Sequence, residues 1–169
     1  MHPGQSTLAG PPTPPVRRLL IAVLPVVAVS VAGSLVTTPN IPTWYAGLAK
    51  PGFTPPNWLF GPVWTTLYAL MAYAVWRILS LPRDRPGRST AVTAFFVQLA
   101  LNSLWSFAFF GGHSPVAGLV VIAALIVAIL ATIRAFWSLD RVAAWLLVPY
   151  LAWVAYATAL NAAIWHLNG

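Results

Sequence analysis

The chain has no cysteine, and only two of its 169 residues are acidic. The first absence excludes disulfides and thiolate metal sites. The second, with nine basic residues, leaves 7% charged residues, against about 25% in a soluble domain. So few charges cannot solvate the surface of an 18.2 kDa globule. His2, His113 and His166 lie far apart and show no metal-ligand spacing. Asp84 and Asp140 both fall outside the apolar runs. Paired carboxylates for acid–base catalysis are therefore missing, as are the mid-membrane carboxylates of ion-coupled pumps. No G-x-S-x-G elbow or Ser–His–Asp set occurs. The net charge of +7 is too sparse and scattered for a phosphate-tracking stripe, so nucleic acid is not an expected partner.

What the chain has is apolar surface. Hydrophobic residues make up 59% and the mean hydropathy is +0.78. The lipid bilayer is the solvent that suits this composition. Residues 1–16 are Pro-rich and aperiodic, and read as a disordered tail. Five apolar segments follow, at about 19–38, 58–81, 90–110, 116–137 and 142–167. Each is long enough to cross a hydrocarbon layer of about 30 Å. Pro25 is expected to kink the first helix without ending it, and Pro149 to break the fifth internally. A signal peptide cleaved near Ala28-Val29-Ser30 is the rival for the first run. That run is long for such a segment, and no hydrophilic domain follows it. The expected fold class is all-α, an integral membrane bundle of five transmembrane helices.

Arginine placement gives the expected topology. Five spans put Arg17, Arg18, Arg77, Arg83, Arg85, Arg88, Arg134 and Arg141 on one side, and Lys50 alone on the other. The positive-inside rule then makes the N-terminus cytoplasmic. Ala124-x-x-x-Ala128 permits close helix approach, either in a homodimer or within one bundle.

Three spans carry aromatic and amide residues at helical spacing: Trp64, Tyr68, Met71 and Val75; Gln98, Asn102, Trp105 and Phe109; Tyr150, Trp153, Ala157 and Asn161. Packing faces joined by amide hydrogen bonds account for such stripes. But Trp64, Trp105 and Trp153 sit well inside their spans, away from the interfaces where tryptophan serves as an anchor. Together the stripes suit an apolar cavity for a large planar ligand. The segment 39–57 reads as a lid loop. Pro51, Pro55, Pro56 and Pro62 stiffen it, and Trp44, Tyr45, Phe53 and Trp58 give it mass to cover a pocket mouth. Lys50 offers a cation for a ligand carboxylate. The competing reading is an interfacial loop at headgroup depth, with Lys50 on lipid phosphate.

W-Y-x-x-L-x-K-P-x-x-x-P-P at 44–56 and W-x-x-L-Y at 64–68 resemble the TspO/MBR family of tryptophan-rich sensory and translocator proteins. Q-x-x-x-N-x-x-W at 98–105, Phe109-Phe110 and P-Y-x-x-W-x-x-x-A-x-x-L-N at 149–161 extend the resemblance over about 19–168. The resemblance implies a five-helix membrane fold with a ligand cavity opening toward the first loop. It also implies porphyrin ligands such as protoporphyrin IX and haem, or sterols and synthetic drugs. Trp64 and Trp153 match the family's pocket tryptophans. Asn102, Trp105, Ala157 and Asn161 match other cavity-lining positions. A light-dependent breakdown of porphyrin, steered by Trp64 and Trp153, and passive transport of tetrapyrroles or sterols are further family-level expectations. No cofactor and no metal are expected. The full expected ligand site is Trp44, Lys50, Trp58, Trp64, Tyr68, Asn102, Trp105, Tyr150, Trp153, Ala157 and Asn161. Two departures stand out: Leu160–His166 lacks the tyrosine of the animal members' sterol pattern, and Phe53 stands near where many members have tryptophan.

Overall fold

A computed structural model describes residues 14–169. Most of the expected tail, and His2, lie outside the described residues. Five helices are long and apolar enough to cross a membrane. α1 runs Pro15–Asn40 and continues through a π-helical turn, Ile41–Tyr45. α2 is Asn57–Ser80, and α3 is Arg88–Ser106 with a π-helical turn at Phe107–Gly111. α4 is Pro115–Trp137, α5 Arg141–Trp145 and α6 Val148–Asn168. No strand occurs among the described residues.

Two expected boundaries need correction. Pro15 and Val16 belong to α1 rather than the tail, because proline's fixed φ suits a first helical turn. The expected 39–57 loop is helical over its first part and irregular only over 48–56. Pro39 and Pro42 lack the N–H that continues a helix. The backbone widens into a π turn around Pro42, and neighbouring side chains add bonds to backbone carbonyls in this stretch. Asn40 Nδ2 donates to Val36 O at 2.7 Å, and Thr43 Oγ1 to Pro39 O at 2.8 Å. The fifth span breaks at 146–147, where Pro149 has no N–H for the Trp145 carbonyl.

Local chemistry sets the other joints. The turn at 82–87 closes through Gly87 at φ 83°, a conformation that favours glycine. Ser114 caps α4, accepting from the Ala117 N–H at 3.2 Å. Asp140 caps α5, accepting from the Ala143 N–H at 3.1 Å, and pairs with Arg77 Nε at 2.8 Å. Arg88 donates to the carbonyls of Ile78 and Leu79 at the end of α2.

The helices form one bundle in which α3 packs on α4, α1 on α2 and α3, and α4 on α6. The main core joins Ala22 and Val26 of α1 to Met71, Ala74, Val75 and Ile78 of α2, with Phe95, Ile129, Phe136 and Tyr150. Leu19, Leu24, Val31 and Leu35 of α1 point outward, as lipid contact requires. Ala124 is exposed and Ala128 half-buried, so that pair lies toward the outer surface of α4. The 48–56 loop, the α3–α4 joint and the end of α6 share one end of the bundle, since Asn168 bonds both the N–H and the C=O of Ala49 at 2.9 Å.

Candidate functional site

A cavity of about 410 Å³ lies between α1, α2, α3 and α6 toward the loop end. This is within the size range of small-molecule sites. α2 supplies Asn57, Trp58, Phe60, Gly61, Trp64, Thr65 and Tyr68. α6 adds Trp153 and Ala157, and α3 with its π turn adds Trp105, Ser106 and Phe110. Of the residues expected from sequence, Trp58, Trp64, Tyr68, Trp105, Trp153 and Ala157 line the cavity. They come from three different helices.

The rings hold one another in place. Trp64 lies 5.3 Å from Tyr68 and 6.3 Å edge-on from Tyr150. Trp153 meets Phe60 edge-on at 5.9 Å and Tyr156 at 5.6 Å. Trp105 stacks on Phe109 at 5.3 Å and meets Phe110 edge-on at 6.0 Å. Such pairs contribute about 0.5–1.5 kcal/mol each beyond burial. The aromatic wall is therefore built before any ligand arrives.

Asn102, Tyr150 and Asn161 stand behind this wall rather than on it; for Tyr150 this corrects the expectation of a lining residue, and for the two asparagines it matches the helix-joining role that the sequence allowed beside polar contact with a ligand. Asn102 Oδ1 accepts from the Tyr68 hydroxyl at 2.8 Å. Asn161 Nδ2 donates to Pro115 O at 2.8 Å, and its Oδ1 faces Trp105 Nε1 at 3.4 Å. Both amides are buried. They position rings that do line the cavity, because a buried amide left unpaired is costly. Tyr150 is fully buried in the core with its hydroxyl facing the Asn102 side chain, and among the described residues neither amide atom of Gln98 has a hydrogen-bond partner.

Trp44 and Lys50 also need correction. Trp44 rides on the helical extension of α1, not on a free loop. It packs edge-on to Phe109 at 5.3 Å and stacks on His113 at 4.8 Å. His113 is held at φ 50°, and its Nε2 lies 2.7 Å from Asn40 Oδ1. Lys50 Nζ donates to the carbonyls of Leu48 and Ala46 at 3.0 and 3.2 Å and lies over the Tyr45 ring at 4.9 Å. Its charge caps a helix end and does not line the cavity. The loop itself is fastened across α6: the Tyr156 hydroxyl donates to Phe53 O, and the two rings meet edge-on at 6.2 Å.

The sequence reading missed the α1 wall. Ser30, Gly33, Ser34, Thr37, Thr38 and Ile41 line the cavity at positions i, i+3, i+4, i+7, i+8 and i+11, one face of a helix. A hydroxyl and glycine stripe inside an otherwise apolar run was the available signal. Gly118 was missed too. A Cβ there would lie 2.6 Å from Asn161 Oδ1 and 2.9 Å from Phe109 Cδ2, so only glycine lets α4 approach the pinned amide.

Comparison with known proteins identifies the family. A model of the TspO/MBR family matches residues 21–166. The chain is 45% identical over 153 residues to Tryptophan-rich protein TspO of Archaeoglobus fulgidus, covering 90% of this chain and 98% of that one. It is 40% identical over 125 residues to the tryptophan-rich sensory protein of Cereibacter sphaeroides, covering 74% and 77% respectively. It is 41% identical over 128 residues to the translocator protein of Homo sapiens, covering 74% and 75%.

Proposed function

Because the chain belongs to the TspO/MBR family, we propose that it is a membrane receptor whose cavity takes a flat, largely apolar tetrapyrrole such as protoporphyrin IX or haem. Its role would be in sensing, transport or disposal of that ligand. The observation that carries the reading is the convergence of Trp64 and Trp153, from α2 and α6, on one cavity in the body of a multi-pass integral membrane protein. Indole faces suit a planar π-system. Among the described residues no charged side chain lines the cavity, which suits an apolar guest, since an unpaired charge buried there would be costly. The arginine-rich end of the bundle supports a cytoplasmic N-terminus, with the cavity toward the opposite face.

Filling the cavity tests this. Ala157 is half-buried on the α6 wall, and Ala157→Phe places a ring in the space. In nanodiscs the expected result is saturable binding of protoporphyrin IX to the wild type, followed by its visible absorbance, and at least tenfold weaker binding to the variant. Equal binding by a folded Ala157→Phe protein overturns the reading.

Oxidisable rings around the cavity, Trp64, Tyr68, Trp105 and Trp153, favour a second reading in which bound porphyrin is broken down under light. Bleaching of bound porphyrin at the rate seen in protein-free nanodiscs would remove it.

A further inference from the structure

The outward face of α4 ends in cations that serve nothing within the bundle. Val120, Ala124, Val127, Ala131, Arg134 and Ser138 fall at i, i+4, i+7, i+11, i+14 and i+18, and all are exposed. They share one helix face. Leu130, Ala131, Arg134 and Trp137 line an open groove at the end of that face. The exposed Trp137 ring lies 6.0 Å from the exposed Trp145 ring of α5, and the Arg141 guanidinium sits over it at 5.5 Å. Paired tryptophans beside a helix end mark headgroup depth.

The arginines at this end differ in what they bind. Arg77 pairs with Asp140 at 2.8 Å, and Arg88 donates to the Ile78 and Leu79 carbonyls. Among the described residues, the Arg134 and Arg141 side chains make no ion pair and no hydrogen bond. Asp140, next in sequence to Arg141, is already engaged with Arg77 and the Ala143 N–H. Below Arg134 the exposed face stays apolar as far as Val120, about 21 Å at 1.5 Å per residue. That accompanies an acyl chain through one leaflet, half of a hydrocarbon layer of about 30 Å.

The fitting occupant is anionic at headgroup level and apolar below it. A second copy of this chain does not qualify. A two-fold axis along the membrane normal would set Arg134 and Arg141 against their own counterparts. A zwitterionic lipid brings a phosphate and also a cation that the arginines repel. A phospholipid of net negative charge brings the phosphate alone. We propose that Arg134, Trp137 and Arg141, with the apolar face of α4 below them, form a docking surface for an anionic phospholipid. It lies apart from the cavity and does not depend on what the cavity binds.

The test uses full-length protein in nanodiscs of phosphatidylcholine with a fixed minor fraction of phosphatidylglycerol. Val127→Cys, the sole thiol of its chain, carries a bimane on this face. Leu24→Cys, on the exposed side of α1 at the same end, is the comparison position. Nitroxide-bearing acyl chains are placed on phosphatidylglycerol alone or on phosphatidylcholine alone, and the two quenching levels give the local share of each lipid. At Val127 the phosphatidylglycerol share should exceed its bulk fraction about threefold or more. Arg134→Gln plus Arg141→Gln should bring it close to the bulk fraction, while Arg134→Lys plus Arg141→Lys keeps most of it. The share at Leu24 should not change between these forms. A bulk-level share at Val127 in wild type, or an enrichment that survives the glutamine pair, overturns the site. A lysine pair as poor as the glutamine pair overturns its basis in charge. A parallel fall at Leu24 shows a general surface attraction and overturns a docking surface on α4. A Val127 reporter quenched by neither labelled lipid shows that another copy covers this face, which also overturns it.

Discussion

Gly118 shows how closely single atoms govern this site. Asn161 is pinned between Pro115 O and the Trp105 indole, so its Oδ1 cannot withdraw from a new methyl group 2.6 Å away. Gly118→Ala should therefore destabilise the protein by about 1–3 kcal/mol, the usual cost of overpacking. Thermal melting in detergent measures it, and an unchanged melting temperature would contradict the pinned geometry. The same scale explains what was legible in the sequence. Trp64, Tyr68, Trp105, Trp153 and Ala157 were readable because helical spacing fixes a face, and rings placed away from the interfaces need a reason to be there. Asn102, Tyr150 and Asn161 share those faces but sit one layer deeper. Spacing gives the direction of a side chain, not its depth. The α1 hydroxyls escaped notice because serine and threonine in a membrane helix are commonly satisfied by their own backbone, and only the structure shows that these are not.

Among the elements, the number and order of helices followed from apolar run length, and the ends did not. Proline was taken as the stop at Pro39, yet α1 runs through it and opens into a π turn only at Ile41–Tyr45, around Pro42, with the Asn40 and Thr43 side chains adding bonds to the carbonyls of Val36 and Pro39. Pro149 breaks the fifth span as expected, and α5 is the fragment it leaves. The α2–α5 junction depends on Asp140. Burial raises its carboxyl, but the Ala143 N–H and the hydrogen bond and charge of Arg77 outweigh this and hold it below its ordinary 3.8. A carboxyl whose folded pKa is depressed adds stability above its unfolded value, and that contribution is lost as pH falls through the folded one. Asp140→Asn keeps a capping side chain and removes the charge. It should melt below wild type at neutral pH, with the gap closing progressively below about pH 5. Melting curves at several pH values check this, and a gap that persists in strong acid would assign the loss to something other than the ion pair.

At the level of the whole molecule, the arginines gather at one end of the bundle and the cavity opens toward the other. The absence of cysteine from the natural sequence makes orientation simple to read, because each introduced thiol is the only one present. With a membrane-impermeant maleimide on intact cells, Gly52→Cys in the loop should label, and Ser138→Cys at the opposite end only after permeabilisation. The reverse pattern would invert the assigned topology. The proposed enclosure of a flat guest by indoles from separate helices is read most directly by tryptophan fluorescence. Trp64 and Trp153 line the cavity, whereas Trp145 and Trp165 are 59% and 48% exposed on the outer surface. On titration with protoporphyrin IX, the saturable quenching of wild type should be little changed in Trp145→Phe plus Trp165→Phe and clearly reduced in Trp64→Phe plus Trp153→Phe, leaving only the share that comes from the other cavity tryptophans, Trp58 and Trp105. Quenching lost with the outer pair and kept without the inner one would place the porphyrin on the lipid-facing surface and contradict the account.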